Sequence, residues 1–586
     1  MKKFIIKPLL FAFVITAMAS CTKILDVKPK DELDASQMYR DVYDADAAVI
    51  GIYGKFMGLA ERYVLLNELR ADMLDVTLNA DENLRQLSTH TVKPDNPYAN
   101  PRPFYEVIVD CNDVLKHFNI MRQENKMKEA EYEQRYSDIG CLRSFIYLQL
   151  GIHYGQIPYV TEALETLADV NDPSKFPKLP FNTLLDSLIS FTEQLPFKDQ
   201  YPTGTTLNIS VDGYQTQKFF INKKCLLGDL YLWKGNYIQS ATYYRQVMEI
   251  ATVGTQGENY YSQYKVGWAG GFNHYVTYSR AGDNSSLLYS DGWRYMFERP
   301  QDDGFNREWI WVLPFDNSFK PDNPFVKIFS PIGGSYLVQP SQAAMDMWNN
   351  EQQRPVAGTS SVPAMPGAPY DARGLFTWRY IGGQPVVMKY LYNYINYATN
   401  LPANPLQKDG KWFLYRQTHL HLRFAEAANR AGRHRLAWGL LSSGIGAAWP
   451  APGTDVTNYQ NTLWETDPFR FDARNSGSTG VPYYRADWYR NIGIRARANL
   501  LDYVIDPNDS LTSVENGLIN EAGLENGYEG TRWADLLRIA IRRNDPSFIA
   551  NKVYNKLIKS NISAGDADKA RTKLLSRDWY LPFVWK

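Results

Sequence analysis

The run Leu227-Gly228-Asp229-Leu230-Tyr231-Leu232-Trp233-Lys234-Gly235-Asn236-Tyr237-Ile238-Gln239-Ser240-Ala241-Thr242-Tyr243-Tyr244 reads as a helix, a turn and a second helix. Gly228 and Ser240 are small, so two antiparallel helices can approach closely there. Tyr231 and Tyr244 are large and fill the gaps between them, and Gly235 supplies the turn. Upstream, Phe219, Phe220, Lys223, Leu227 and Leu230 fall close to the three-and-four spacing of an amphipathic helix.

This spacing is that of a tetratricopeptide repeat, with Lys224 standing where the first position of the repeat takes Trp. A second copy aligns through Gly432, Ala437 and Leu441 at the same turn and second-helix positions. The alternative is two unrelated helical hairpins. Further helical patterns cover Phe104–Met121, Glu129–Tyr154, Phe181–Leu195, Thr216–Ile250, Phe413–Leu441 and Ile519–Arg543. Residues 254–410 break the pattern: they are rich in Gly, Pro, Asn and Tyr, with short strands expected at Trp309–Pro314 and Gln384–Tyr390. Val356–Pro369 reads as a surface loop. The fold class expected is mainly α: a tetratricopeptide-like helix-pair scaffold with long loop-rich insertions and a few short strands. No charge run or linker separates two bodies, so residues 21–586 form one expected domain with its loop-rich insertion at 254–410.

The 63 basic and 63 acidic residues cancel, which removes any electrostatic reason to concentrate nucleic acid or anionic lipid. The 40 Tyr and 15 Trp are the unusual feature of the composition, since flat amphipathic rings suit helix packing and partly wet binding surfaces alike. At the N-terminus, Lys2 and Lys3 precede an apolar run from Leu9 to Ala19 and then Cys21, the pattern of an export signal over residues 1–20. Met18-Ala19-Ser20-Cys21 resembles a lipobox, with Met18 where Leu is usual, and makes Cys21 the expected lipidation site. Plain secretion with an incidental cysteine is the alternative. No later stretch is long and apolar enough to span a bilayer. Cys111, Cys141 and Cys225 lie in helical apolar patterns and are expected as buried thiols, one possible bridge among them staying open.

The most motif-like stretch is Glu529-Gly530-Thr531-Arg532 with Asp535 and Arg538. Asp535 and Arg538 lie three apart on one helix face and can pair, while Arg532 can bind a carboxylate from another helix. A buried Arg–carboxylate network explains Glu529, Arg532, Asp535 and Arg538 without a substrate. No nucleophile elbow, phosphate-binding glycine loop, His-Glu-x-x-His or calcium-loop pattern is found, so no catalytic residue, metal ligand or cofactor is assigned. His419 and His421, two apart on a helix, make poor joint metal ligands. The insertion is the better place for function, because its rings can cover the apolar face of a sugar and its polar groups can read hydroxyls. Trp268, Tyr275, Trp293 and Tyr295 are the expected platform, the alternative being rings that pin the long loop to the helices. Asp72 and Asn83 are an expected second wall from the polar loop at 70–83, the alternative being an ordinary solvated loop.

In order along the chain, Thr22-Lys23-Ile24-Leu25-Asp26, Phe104–Leu115, Arg143-Ser144-Phe145 to Tyr154-Gly155-Gln156-Ile157-Pro158, Arg416–Arg430, Gly493–Ala498, Tyr528–Arg538 and Tyr580-Leu581-Pro582 resemble the SusD/RagB family of Bacteroidetes outer-membrane lipoproteins. His419 stands where that family usually has Glu. The resemblance implies tetratricopeptide-like helix pairs and a shallow loop-built site for glycans or, in some members, peptides. It also implies a SusC-like TonB-dependent transporter as partner, an outer-membrane lipid anchor through Cys21, and no chemistry. A peptide-binding member, a surface glycan hydrolase and a protein-binding helical scaffold are the alternatives.

Overall fold

The helix ends are set by side chains that the backbone needs there. Asn222 accepts a hydrogen bond from the Cys225 N–H at 2.9 Å and starts one helix, and Gly235, at φ 84°, ends it in the left-handed region. Asp41 caps another by accepting from Tyr43 and Asp44, and Asn544 closes a third at φ 55°. The computed structural model describes residues 38–211, 213–248, 293–298, 308–352, 371–448, 466–469, 493–498 and 500–584. Its principal helices are α1 Val42–Met57, α2 Arg102–Gln123, α3 Glu129–Tyr154, α4 Phe181–Gln194, α5 Lys223–Lys234 and α6 Tyr237–Met248, followed by α7 Gln417–Arg430, α8 His434–Leu441, α9 Ser510–Asn526, α10 Arg532–Arg543, α11 Ser547–Lys559 and α12 Ala564–Leu575.

Chain-adjacent helices pair: α2 with α3, α5 with α6, α7 with α8, and α11 with α12. The pairs are then joined sideways, α3 to α4, α4 to α5, α6 to α7 and α7 to α9. In the α5/α6 pair, a Cβ built on Gly228 would collide with the ring of Tyr244. Ser240 Oγ donates to the Gly228 carbonyl at 2.8 Å, and Tyr244 Oη donates to Asp229 at 2.6 Å, so that ring has nowhere to move. In the second copy Gly432 turns at φ 81° and Ala437 and Leu441 are buried. The fold is therefore the tetratricopeptide-like, mainly helical scaffold. Gly228→Ala is expected to lower the unfolding free energy by about 1–3 kcal/mol through overpacking. Gly54→Ala, on α1 with nothing within 4 Å of the new carbon, should show no loss when both variants are unfolded in urea.

Short antiparallel strand pairs tie the insertion to the segments around it. Label β1 Leu74–Val76, β2 Trp309–Phe315, β3 Val338–Pro340 and β4 Gly410–Arg416; β1 pairs with β3, and β2 with β4 in the register Phe315↔Gly410 to Trp309↔Arg416. Every residue of β2 and β4 is buried. Phe56 of α1 stacks on Trp311 at 5.5 Å and on Trp412 at 4.9 Å, which pins this strand pair to the helices. The helical pattern expected at Phe413–Leu441 begins only at Gln417. Phe413 to Arg416 is strand, because a short wholly apolar run carries no period that separates buried strand from buried helix. Likewise the Ile519–Arg543 pattern is two helices, α9 and α10, broken at residues 527–531, and Gln384–Val387 is half of a hairpin with Trp378–Ile381. Cys111, Cys141 and Cys225 are buried, unbridged thiols, and burial pushes Cys111 and Cys141 up to about 12.

Candidate ligand-binding site

The motif-rich C-terminal stretch is turned inward. Glu529 lies in the link between α9 and α10, and Arg416, at the end of β4, grips its carboxylate with two bonds of 2.7 Å. Lys389 adds a third at 2.7 Å. Arg416 also reaches Glu308 at 2.5 Å and Asn526 at 2.9 Å. Arg497 bridges Glu308 and Glu525 at 3.1 Å each, and Arg373 binds Asp371, Glu521 and Glu525 at 2.6 Å. All of these side chains are buried, so burial alone would push the acids up; for Glu529 the charges of Arg416 and Lys389 overcome that and hold it below its ordinary value.

A second cluster ties α10 to its neighbours. Arg538 binds Glu426 of α7 at 2.8 and 2.7 Å and Asp535 at 2.8 Å, and Arg542 joins Glu426 at 2.7 Å. Burial raises Glu426, but Arg538 and Arg542 outweigh it and bring the carboxyl down to about 2. Arg532 holds Asp72 at 2.7 and 2.9 Å, and Glu68 accepts from the backbone N–H groups of Gly530 and Thr531 at 2.7 and 2.8 Å, serving as a borrowed cap for α10. Glu529, Arg532, Asp535 and Arg538 are thus interior groups paired with protein partners.

The buried histidines give a pH test. His421 of α7 is fully buried with its Nε2 2.8 Å from the Leu440 carbonyl, and burial lowers it to about 4. Its folded form refuses a proton that the unfolded chain accepts below about 6.5, so its contribution is complete above that pH and is lost as pH falls toward 4. His421→Gln should flatten stability against pH in that window by about 1.4 kcal/mol per pH unit, read by denaturant titrations from pH 4 to 7.5.

The expected binding residues fare differently. Trp293 does not form a surface platform: it is fully buried, 5.1 Å from Lys389 Nζ and 5.3 Å from the Arg416 guanidinium, and packs edge-on to Phe297. The flanking glycine and polar residues suggested exposure, but Lys389, Arg416 and Arg497 arrive from other segments and lie against the ring. Asp72 is not a ligand wall either, being the buried partner of Arg532. Asn83 is half-buried beside Asp81, which caps the helix Glu82–Thr89, and the segment before it is strand β1. Tyr295 begins the short helix Tyr295–Glu298. Trp268, Tyr275 and Cys21 lie outside the described residues.

An open cleft lies at the other end of the β2/β4 pair. Tyr214, Asn393, Asn404, Gln407 and Asp409 line a cavity of about 180 Å³, with Phe315 and Gly410 at its base where the two strands meet. Tyr214 Oη donates to Asp316 at 2.9 Å, and its ring meets that of Phe319, 38% exposed, edge-on at 6.5 Å. Burial pushes Asp316 up, but hydrogen bonds from Ser318 and Tyr214 outweigh it and leave the acid below its ordinary value, an acceptor rather than a proton donor. Gln407 Nε2 donates to Asp409 at 2.7 Å, and Asn317 N donates to the other Asp409 oxygen at 3.1 Å. Beneath the cleft, Lys411 donates to Asn393 Oδ1 while Asn393 Nδ2 donates to the Glu298 carbonyl at 2.9 Å. A lysine can only donate, so these bonds fix which way the Asn393 amide faces. Burial pushes Lys411 down to about 7. The chemistry on offer is hydrogen bonding by fixed amides and carboxylates beside an aromatic edge, open to solvent through the exposed Asn404 and Gln407.

Reading residues alone missed this cleft. Its hint was the run of amides at Asn393, Asn396, Asn400, Asn404 and Gln407 inside the insertion, but Tyr214 arrives from a distant segment. Among the described residues no three His, Cys, Asp or Glu side chains are grouped to hold a metal, and no helix is long and apolar enough to cross a membrane.

No family model and no curated protein matches this sequence. Solved structures do. A SusD superfamily protein from Bacteroides vulgatus superposes with a TM-score of 0.55 at 15% identity, over 92% of this chain and 93% of that one. A laminarin-binding SusD-like protein gives 0.52 at 15% identity over 90% and 96%. Surface glycan-binding protein A from Bacteroides uniformis gives 0.52 at 15% identity over 87% and 91%. The fold is shared along nearly the whole length of each.

Proposed function

We propose that this chain, which has the SusD fold, belongs to the SusD/RagB family and binds an oligosaccharide or polysaccharide nutrient at the bacterial surface without cleaving it. The observation that carries this reading is the open cleft at Tyr214, Asn393, Asn404, Gln407 and Asp409, held on a stiff helix-pair scaffold. Fixed amides and the Asp409 carboxylate read hydroxyls, and the Tyr214/Phe319 edge covers an apolar sugar face. The cavity is smaller than the roughly 300–1,000 Å³ that encloses a whole drug-sized ligand, which suits one unit of a longer chain with the rest outside. Two of the structures with this fold are described by what they bind, laminarin in one and surface glycan in the other.

In this proposal Cys21 carries the lipid anchor to the outer membrane, with the body facing outward, and a SusC-like TonB-dependent transporter receives the captured glycan. The test is native affinity electrophoresis of the full chain in gels containing a panel of neutral and acidic polysaccharides, with reducing ends assayed in parallel. Retention without new reducing ends is expected. Asn404→Ala should weaken the retention about tenfold while leaving the melting temperature unchanged, since Asn404 is exposed. Release of reducing ends would replace the reading with a hydrolase, and capture of peptides alone would move it to the peptide-binding branch of the family.

A further inference from the structure

The charges around the cleft bear on which glycans it takes, a selectivity that rests on the proposed glycan binding. Among the described side chains that line it, Asp409 is the only charged group, and Asp316 stands one hydrogen bond behind Tyr214. Three described basic side chains nearby are directed elsewhere. Lys411 is 4% exposed and donates to Asn393 from below; Lys408 Nζ donates to the Gly333 carbonyl at 2.7 Å; Lys320 pairs with Asp322 at 2.6 Å. A bound unit therefore faces neutral amides, a phenol edge and a carboxylate.

A carboxylate has about four acceptor sites. Asn317 N and Gln407 Nε2 each occupy one on Asp409, leaving lone pairs on both oxygens for sugar hydroxyls. Bonds of that kind, hydroxyl to ionised acid, are the strong ones. The same oxygens repel a ligand carboxylate or sulfate placed against them, and among the described residues no lining cation compensates. We infer that this cleft selects neutral sugar units and excludes units carrying carboxylate or sulfate groups, with Asp409 as the discriminating residue. The geometry adds a reason for Lys411: buried under Asn393, it orients the amide, and its charge acts on Asp409 from beneath the cleft rather than from the lining.

The test uses matched pairs of polymers on one backbone: laminarin against carboxymethyl-laminarin, and dextran against dextran sulfate. The full chain in low-salt native affinity gels should hold the neutral member of any bound pair at least about tenfold more tightly. Asp409→Asn, which keeps the shape and one acceptor, should narrow that ratio several-fold, and Asn404→Ala should weaken both members alike. An acidic polymer bound as tightly as its neutral twin overturns the inference and leaves the glycan reading standing. An unchanged ratio in Asp409→Asn overturns the assignment to this residue. Retention of no polymer in the panel overturns the glycan reading and the inference together.

Discussion

Arg416→Met is expected to lower the free energy of unfolding by about 3–5 kcal/mol, the range for removing one partner of a buried ion pair. The Arg416 guanidinium is fully buried and satisfies Glu529 twice, Glu308 once and Asn526 once. Methionine fills much of the volume but leaves these acids facing a thioether. Lys389 still covers one oxygen of Glu529, and Arg497 still covers Glu308, so the loss is that of one cation rather than collapse of the whole cluster. The pH dependence identifies the cause. With Arg416 gone, the folded-state affinity of Glu529 for protons rises above that of the unfolded chain, and that of Glu308, which burial already raises, climbs further. Their stability is then present at low pH and lost as pH rises, so the deficit against wild type should be smaller at pH 5 than at pH 7. Urea titrations of both proteins at the two pH values read this directly. A deficit below about 1 kcal/mol, or one independent of pH, would mean that the buried ion network does not hold β4 to the α9/α10 link.

Trp293→Ala is expected to lose about 3–5 kcal/mol of stability and to leave glycan retention by the folded protein unchanged. The ring is fully buried, packs edge-on to Phe297 at 5.3 Å, and lies 5.1 to 6.0 Å from the charges of Lys389, Arg416 and Arg497. Truncation removes a large apolar surface and opens a hole beside three cations. The two readouts separate a core ring from a binding platform. A normal melting temperature with lost retention would restore Trp293 to the ligand site and move that site away from the Tyr214 cleft.

These two residues also mark where a linear reading stops. Glu529, Arg532, Asp535 and Arg538 attract notice because charged residues punctuate an apolar helix, and the three-residue spacing of Asp535 and Arg538 is visible in the chain. Their distant partners, Asp72 for Arg532, Glu426 for Arg538 and Arg416 for Glu529, come from up to 460 residues away and leave no spacing to detect. Trp293 sits between glycine and arginine and reads as exposed; its burial depends on Lys389, Arg416 and Arg497 arriving from other segments. The Tyr214 cleft was hidden for the same reason, since its aromatic edge and its amides lie nearly two hundred residues apart in the chain.

What the residues determine by themselves is local and periodic. Small residues at Gly228 and Ser240, a ring at Tyr244 and a left-handed glycine at Gly235 specify a helix pair, because helix packing and turns are decided within a few residues. Tertiary structure decided the state of Glu529, Arg532, Asp72 and Trp293. Whether a carboxylate is an interior strut or a ligand contact, and whether an indole is a platform or core, depends on what long-range packing brings beside it and how much water it leaves.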